Sequence, residues 1–366
     1  APPLQVEIEQ PKVIVLSNQN IADADAIALA PALAEMTQLQ TLHLHENRIG
    51  DQGVAALAPA LGMMAEMKNL ALSGNKIGDE GAVALAPAIG NLTQLQSLQL
   101  WNNKIGDKGA TALGQAMGSL TVLEILGLSG NKIGDAGAAA LAPALGKMTQ
   151  LQKLDLGENQ IGDDGAAALA PALGNMTQLQ KLDLDGNQIG DEGAAALAPA
   201  LGNMTQMQKL DLDGNQIGDE GAVALAPVLR NMTQLQELDL TRNKFEKSSA
   251  TMAFVLENLS AFQSLQRFRD AEGTKLIADH SLNRLLDAVA AVVERYTLDL
   301  SFWGLHDADM SVLAPVLGNM TQLQKLSLGR NQIGDQGAAS LVPALRMTTQ
   351  LQELDLSWNS VGVNGA

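Results

Sequence analysis

The chain repeats nearly the same 28-residue line: LQKLDLGENQIGDDGAAALAPALGNMTQ at 151–178 is followed by LQKLDLDGNQIGDEGAAALAPALGNMTQ at 179–206. A fixed period of this length rules out one globular core and calls for a stack of like units, each packed on its neighbours. One asparagine per unit traces the period: Asn47, Asn75, Asn103, Asn131, Asn159, Asn187, Asn215 and Asn243 stand 28 residues apart. Gln19 holds the same place one unit earlier. After Asn243 the spacing stretches to 30, putting Gly273 and Trp303 at the asparagine position, and returns to 28 with Asn331 and Asn359. About thirteen repeats therefore fill residues 13–366, degenerate and aromatic-rich at 244–306. Residues 1–12 precede them, and the alternation Val6-Glu7-Ile8-Glu9 predicts a strand capping that end.

Each part of the unit has a physical job. Leu179, Leu182 and Leu184 alternate with Lys181, Asp183 and Asp185, the period of a short strand with one buried face. Asn187 follows, where a side-chain amide can satisfy backbone groups of the turn and of the adjoining repeat. Ile189 turns back into the core. Asp191 is expected to be the N-cap of the run GAAALAPAL, in which Leu197 and Leu201 face the sheet. Pro199 and its counterparts remove one helical hydrogen bond per repeat, predicting short helices, and Gly202 with its counterparts ends them.

Leu179, Leu182, Leu184, Asn187, Ile189, Gly193, Leu197 and Leu201 together resemble the ribonuclease-inhibitor-like class of leucine-rich repeats, over essentially residues 13–366. The resemblance implies an α/β fold: a right-handed solenoid, or horseshoe, with a parallel sheet on the concave face and short helices on the convex face. Curvature follows because strands stack at about 4.8 Å while helices need roughly 8–10 Å. It also implies a protein partner on the concave face.

Composition narrows the partner. The net charge is −17 and the sequence pI about 4.5. That field makes nucleic acid and anionic membranes poor partners and favours a protein with a basic segment. No apolar run approaches the ~18 residues of a membrane span. The chain has no cysteine, so its ends carry no disulfide caps. It starts with Ala1, which fits a mature secreted or organellar chain after presequence removal; a boundary within a longer sequence and a cytoplasmic location stay open.

Candidate contact residues come from the outward strand positions. The first units there are nearly uncharged but include Trp101. The later ones carry a column of Asp155, Asp183, Asp211 and Asp239 beside Lys153, Lys181 and Lys209, then Arg267 and Arg269, then Asp299. This is either a self-neutralised solvated ladder or a charged docking stripe, with Trp101 as an exposed apolar anchor. A second candidate surface joins the irregular segment, with Phe245, Phe302 and Trp303, to Trp358 near the C-terminal edge.

Two motifs are decoys. Asp183-Leu-Asp-Gly-Asn187 starts like a calcium loop, but Gln188 and Ala194 stand where that loop needs its turn glycine and bidentate glutamate. His43 and His45 share a strand face, yet the neighbouring strands offer Val15, Ser17, Ala71 and Ser73 rather than further ligands. No metal or cofactor is expected. With no cysteine nucleophile, phosphate loop or serine elbow, no catalytic residue is assigned. Six Asn-x-Ser/Thr sequons, at Asn91, Asn175, Asn203, Asn231, Asn258 and Asn319, are either glycan acceptors or one turn copied many times. The expectation is a non-enzymatic protein-binding or scaffold module. The alternatives are a structural subunit of a larger assembly, or a GTPase-activating regulator resembling Ran-type activators, which share the repeat class but characteristically carry an acidic tail.

Overall fold

The computed structural model describes residues 11–229, 232, 234–240, 242–244, 267–269, 297–301, 305–319 and 323–362, with backbone alone at 226, 267–269, 297–299, 308, 312, 315, 316 and 319. Phe245, Phe302 and Trp303, and residues 1–10 of the segment 1–12 expected to cap the array, lie outside them.

Strand and helix alternate as the 28-residue pattern requires. The first sheet contains β1 (Val13–Val15), β2 (Thr41–His43), β3 (Asn69–Ala71), β4 (Ser97–Gln99), β5 (Ile125–Gly127), β6 (Lys153–Asp155), β7 (Lys181–Asp183), β8 (Lys209–Asp211), β9 (Glu237–Asp239) and β10 (Arg267–Arg269). They lie in chain order and every described pairing is parallel. Between them run α1 (Asp23–Ala34), α2 (Asp51–Leu61), α3 (Asp79–Asn91), α4 (Asp107–Met117), α5 (Asp135–Leu145), α6 (Asp163–Leu173), α7 (Asp191–Leu201) and α8 (Asp219–Leu229). A second sheet holds β11 (Thr297–Asp299), β12 (Lys325–Ser327) and β13 (Glu353–Asp355), with α9 (Asp307–Asn319) and α10 (Asp335–Met347). This is a leucine-rich-repeat solenoid with its sheet on one face and short helices on the other.

The core is a continuous leucine stack. Leu179, Leu182, Ile189, Leu197 and Leu201 are fully buried, as are their counterparts one repeat earlier, Leu151, Leu154, Ile161, Leu169 and Leu173. Each such side chain contributes on the order of 1.5–3 kcal/mol, and none of that burial exists for a repeat standing alone. Alanines on the helix faces, such as Ala166 and Ala194 at 1% exposure, let helix and sheet close without rings.

Two ladders of side chains knit the repeats. In the first, Asn187 donates to the carbonyls of Leu156 (3.0 Å), Leu184 (3.1 Å) and Asp185 (3.1 Å). Its Oδ1 accepts from the Ile161 N–H at 3.0 Å. Asn75, Asn103, Asn131, Asn159 and Asn215 repeat the pattern. One buried amide thus satisfies backbone groups of two units, as its sequence position implied.

The second ladder corrects the sequence reading. Asp191 is not the N-cap of its own helix: Gly190 is, with extended backbone and no side-chain cap. Asp191 instead accepts from Gly218 N–H at 2.6 Å and Gly221 N–H at 2.8 Å, capping the following helix, as Asp163 does for α7 through Gly190 and Gly193, both at 2.7 Å. The first residue of each helix supplies the carboxylate that the next helix's orphan N–H groups need. At α1 and α9 the glycine is replaced by Asp25 and Asp309, which cap locally by accepting from the Ala22 and His306 N–H groups. The glycines closing the helices do so in right-handed geometry (Gly202 φ −61°), without the left-handed cap glycine usually supplies.

The residue before each ladder asparagine sits in the left-handed region. Glycine occupies it at Gly74, Gly130, Gly186 and Gly214, but Glu46, Asn102, Glu158, Arg242, Arg330 and Trp358 hold it at φ between 49° and 58°. A side chain there costs about 1 kcal/mol or more. Replacing Glu158 (φ 49°) by glycine, as four of its counterparts already have it, is expected to raise stability by about 1 kcal/mol in chemical denaturation. A loss of stability would mean that the Glu158 side chain holds the turn.

Candidate functional site

Strand register fixes what the sheet presents to solvent. Asp155, Asp183, Asp211 and Asp239 are direct neighbours on successive strands, bounded by Gly127 on β5 and Arg269 on β10. Lys153, Lys181, Lys209 and Glu237 form the parallel column two residues earlier. The structure therefore brings together four of the aspartates singled out in the sequence and places the Arg269 backbone beside them. Asp299 lies in the other sheet, opposite Ser327.

The two columns neutralise each other only in part. Lys209 reaches Asp211 at 3.1 Å and Lys181 reaches Asp183 at 3.6 Å. Burial works to lower the Lys209 ammonium, but the hydrogen bond to Asp211 and its charge outweigh that and raise it. Asp155 accepts from the Ser129 hydroxyl at 2.9 Å. Arg242 clamps Asp213 through its Nε (2.9 Å) and Nη2, and this fork raises the guanidinium. Asp185, the counterpart of Asp213, has Gly214 where Asp213 has Arg242, and no ion pair to Asp185 occurs among the described residues.

The result is a patch of carboxyls held above their ordinary range. Burial raises Asp183, and the charges of Asp211 and Asp155 add to it. Asp185 is pushed up to about 7 by burial, then by Asp183 and Asp211. Its carboxylate leans over Gly157, whose missing Cβ would lie 1.9 Å from Asp185 Oδ1. By contrast Asp355, at the corresponding position of β13 in the second sheet, is half-buried and held below the carboxylate range by hydrogen bonds from Ser357. A carboxyl raised on folding favours the folded state as pH falls from about 7 toward the ordinary carboxylate value. Asp185→Asn is therefore expected to raise the melting temperature more at pH 8 than at pH 5, the gain vanishing only below the ordinary carboxylate value. Equal melting shifts at both values would place Asp185 at an ordinary pKa.

The uncharged end of the same face differs from expectation at one residue. Trp101 is half-buried rather than exposed. Its Cδ1 lies 3.3 Å from the point a Cβ on Gly127 would occupy, and Gln99 Oε1 lies 2.3 Å from it, so glycine makes room for both. Beside it Ser73 is 1% exposed and its hydroxyl has no partner. His43 and His45 stack tilted at 5.6 Å; burial and then His45 lower His43. Trp358 is 76% exposed, with the Arg330 guanidinium 5.2 Å over its ring. Among the described residues no group of three or more His, Asp or Glu side chains is arranged to hold a metal ion, and no helix is long and apolar enough to cross a membrane.

Comparison with known proteins follows the same lines. A family model for a leucine-rich repeat region matches residues 84–315. A second, for a leucine rich repeat, matches 36–58, 67–86, 319–342 and 349–366. No curated protein matches. Among solved structures, an internalin (InlF) from Listeria monocytogenes is 23% identical with TM-score 0.49, over 96% of this chain and 82% of that one. The functional domain of InlJ from Listeria monocytogenes, whose structure includes a cysteine ladder, is 17% identical with TM-score 0.47, over 95% of this chain and 53% of that one.

Proposed function

Because this chain belongs to the leucine-rich repeat family, we propose that it is a protein-binding module that offers the outward face of its sheet to a partner with a basic segment. The observation that carries this reading is the in-register column Asp155–Asp183–Asp211–Asp239. Like charges directly opposite on neighbouring strands destabilise a sheet; burial first, and after it repulsion from neighbouring carboxylates, hold Asp183 and Asp185 above their ordinary range, and the lysines offset that repulsion only in part. Cations of a partner would relieve it and steer encounter. Trp101 and the neutral strands before it supply apolar area of the kind that anchors interfaces. Arg267, Arg269 and Asp299 extend the face, while Trp358 with its Arg330 partner, and Phe245, Phe302 and Trp303, belong to a secondary contact region.

We also assign the unit to the ribonuclease-inhibitor-like class; the 28-residue period and the 11–13-residue helices of the regular repeats support it. The array is proposed to run as about thirteen repeats over 13–366 behind a cap at 1–12.

The test is charge reversal with a matched control. Asp183→Lys/Asp211→Lys changes the sheet face; Glu192→Lys/Glu220→Lys makes the same charge change on the helical side. A partner retained by the wild type should be lost by the first variant and kept by the second, with affinity falling as salt rises. Retention by both variants would remove the acidic column from recognition.

A further inference from the structure

The turns after the helices carry a feature that the sheet face does not use. Asn91, Asn175 and Asn203 are exposed there, and so are Thr93, Thr177 and Thr205 two residues on. Between them Leu92 and Met176 are fully buried and Met204 is 1% exposed. The buried residue pins the turn and leaves the Asn and Thr side chains of each sequon facing solvent. Among the described residues no hydrogen bond engages the side-chain amide of Asn175 or Asn203, and that of Asn91 reaches only the Gly62 carbonyl, at 3.5 Å.

The fold does not need asparagine at this place. The same turn is built with Lys147, Ser119 and Met63 at the equivalent position. Asn175 and Asn203 stand at the rim of an open groove of about 500 Å³ between α6 and α7, walled by Ala167, Pro171, Ala196 and Pro199. The groove lies on the helical side, away from the sheet, so a group attached at its rim leaves the sheet face open.

We propose that Asn175 and Asn203 are N-glycan acceptors, with Asn91 a third, so that one edge of the solenoid carries oligosaccharide. The donor is a polyprenyl-diphosphate-linked oligosaccharide. The amide nitrogen bonds to the anomeric carbon and loses a proton, while the carbon–oxygen bond to the diphosphate breaks and polyprenyl diphosphate leaves. The amide is then secondary but still neutral, and no oxidant or reductant is required. This inference is independent of the partner-binding proposal, because it concerns the opposite side of each repeat.

The experiment uses the full-length protein purified from its source. Intact mass is measured before and after peptide-N-glycosidase in ¹⁸O-water, followed by peptide mapping. The expected result is a mass above 38.3 kDa that falls on treatment, with ¹⁸O-aspartate at positions 175 and 203. Unmodified asparagine at both positions would overturn the proposal. In the same host Thr177→Ala should remove the glycan at Asn175 alone, and Ala65 at the equivalent position indicates that the turn accepts alanine. An unchanged mass for Thr177→Ala would equally overturn acceptance at Asn175.

Discussion

Asn187→Ala is expected to destabilise the protein by about 3–5 kcal/mol, among the largest effects any single substitution here can have. Three carbonyls lose their donor and the Ile161 N–H loses its acceptor. Asn187 is only 6% exposed, so water does not replace it without opening the turn, and each stranded group costs about 1–3 kcal/mol. Asn187→Asp should be nearly as damaging, because a carboxylate can accept from Ile161 but cannot donate to the carbonyls. The damage also has a direction. Repeats hold together through neighbour interfaces, so loosening the junction around Asn187 should split denaturant unfolding into two steps with reduced m-values. A single transition within 1 kcal/mol of wild type would show that the asparagine ladder does not join the units. The exposed Asn175 gives the matched control, with little change expected on replacement by alanine.

Gly193→Ala should cost about 2–4 kcal/mol, although alanine ordinarily favours a helix. A Cβ at this position would lie 2.5 Å from Asp163 Oδ1, 2.9 Å from Ile189 Cγ2 and 3.0 Å from Asp163 Cα. The first contact displaces the carboxylate that caps α7 through Gly190 and Gly193. Asp163→Ala alone should cost about 1–2 kcal/mol, the usual size of a lost cap. The double variant should then cost less than the sum, since the clashing oxygen is gone. Strict additivity, measured by urea denaturation of all three variants, would mean that the glycine is close to the aspartate without being constrained by it.

Much of the architecture was legible because the repeat states it many times. Leu182, Ile189 and Leu197 mark strand, turn and helix by their spacing, and Asn187 declares itself because a buried amide recurring after a strand has few other uses. The Asp191 cap was misassigned for a physical reason. Within one unit, aspartate before an alanine run reads as a local N-cap, and its true acceptor role spans two units. The clue lay in the constant I-G-D-x-G phrase: a glycine two residues after the first helical position marks the approach of something from outside the helix. Trp101 was read as exposed because its own strand position faces outward; its half-burial depends on Gly127, one repeat later. The aspartate column was legible through the period, whereas the contrast between clamped Asp213 and unclamped Asp185 depends on Arg242 reaching back across a turn.

The claim that the sheet face binds a protein is tested most directly by carboxyl footprinting of the chain with and without its bound partner. The account predicts that labelling of Asp183, Asp211 and Asp239 falls in the complex while Asp164, Glu192 and Glu220 on the helical side label as before. Protection of the helical carboxylates, with the aspartate column unchanged, would contradict it.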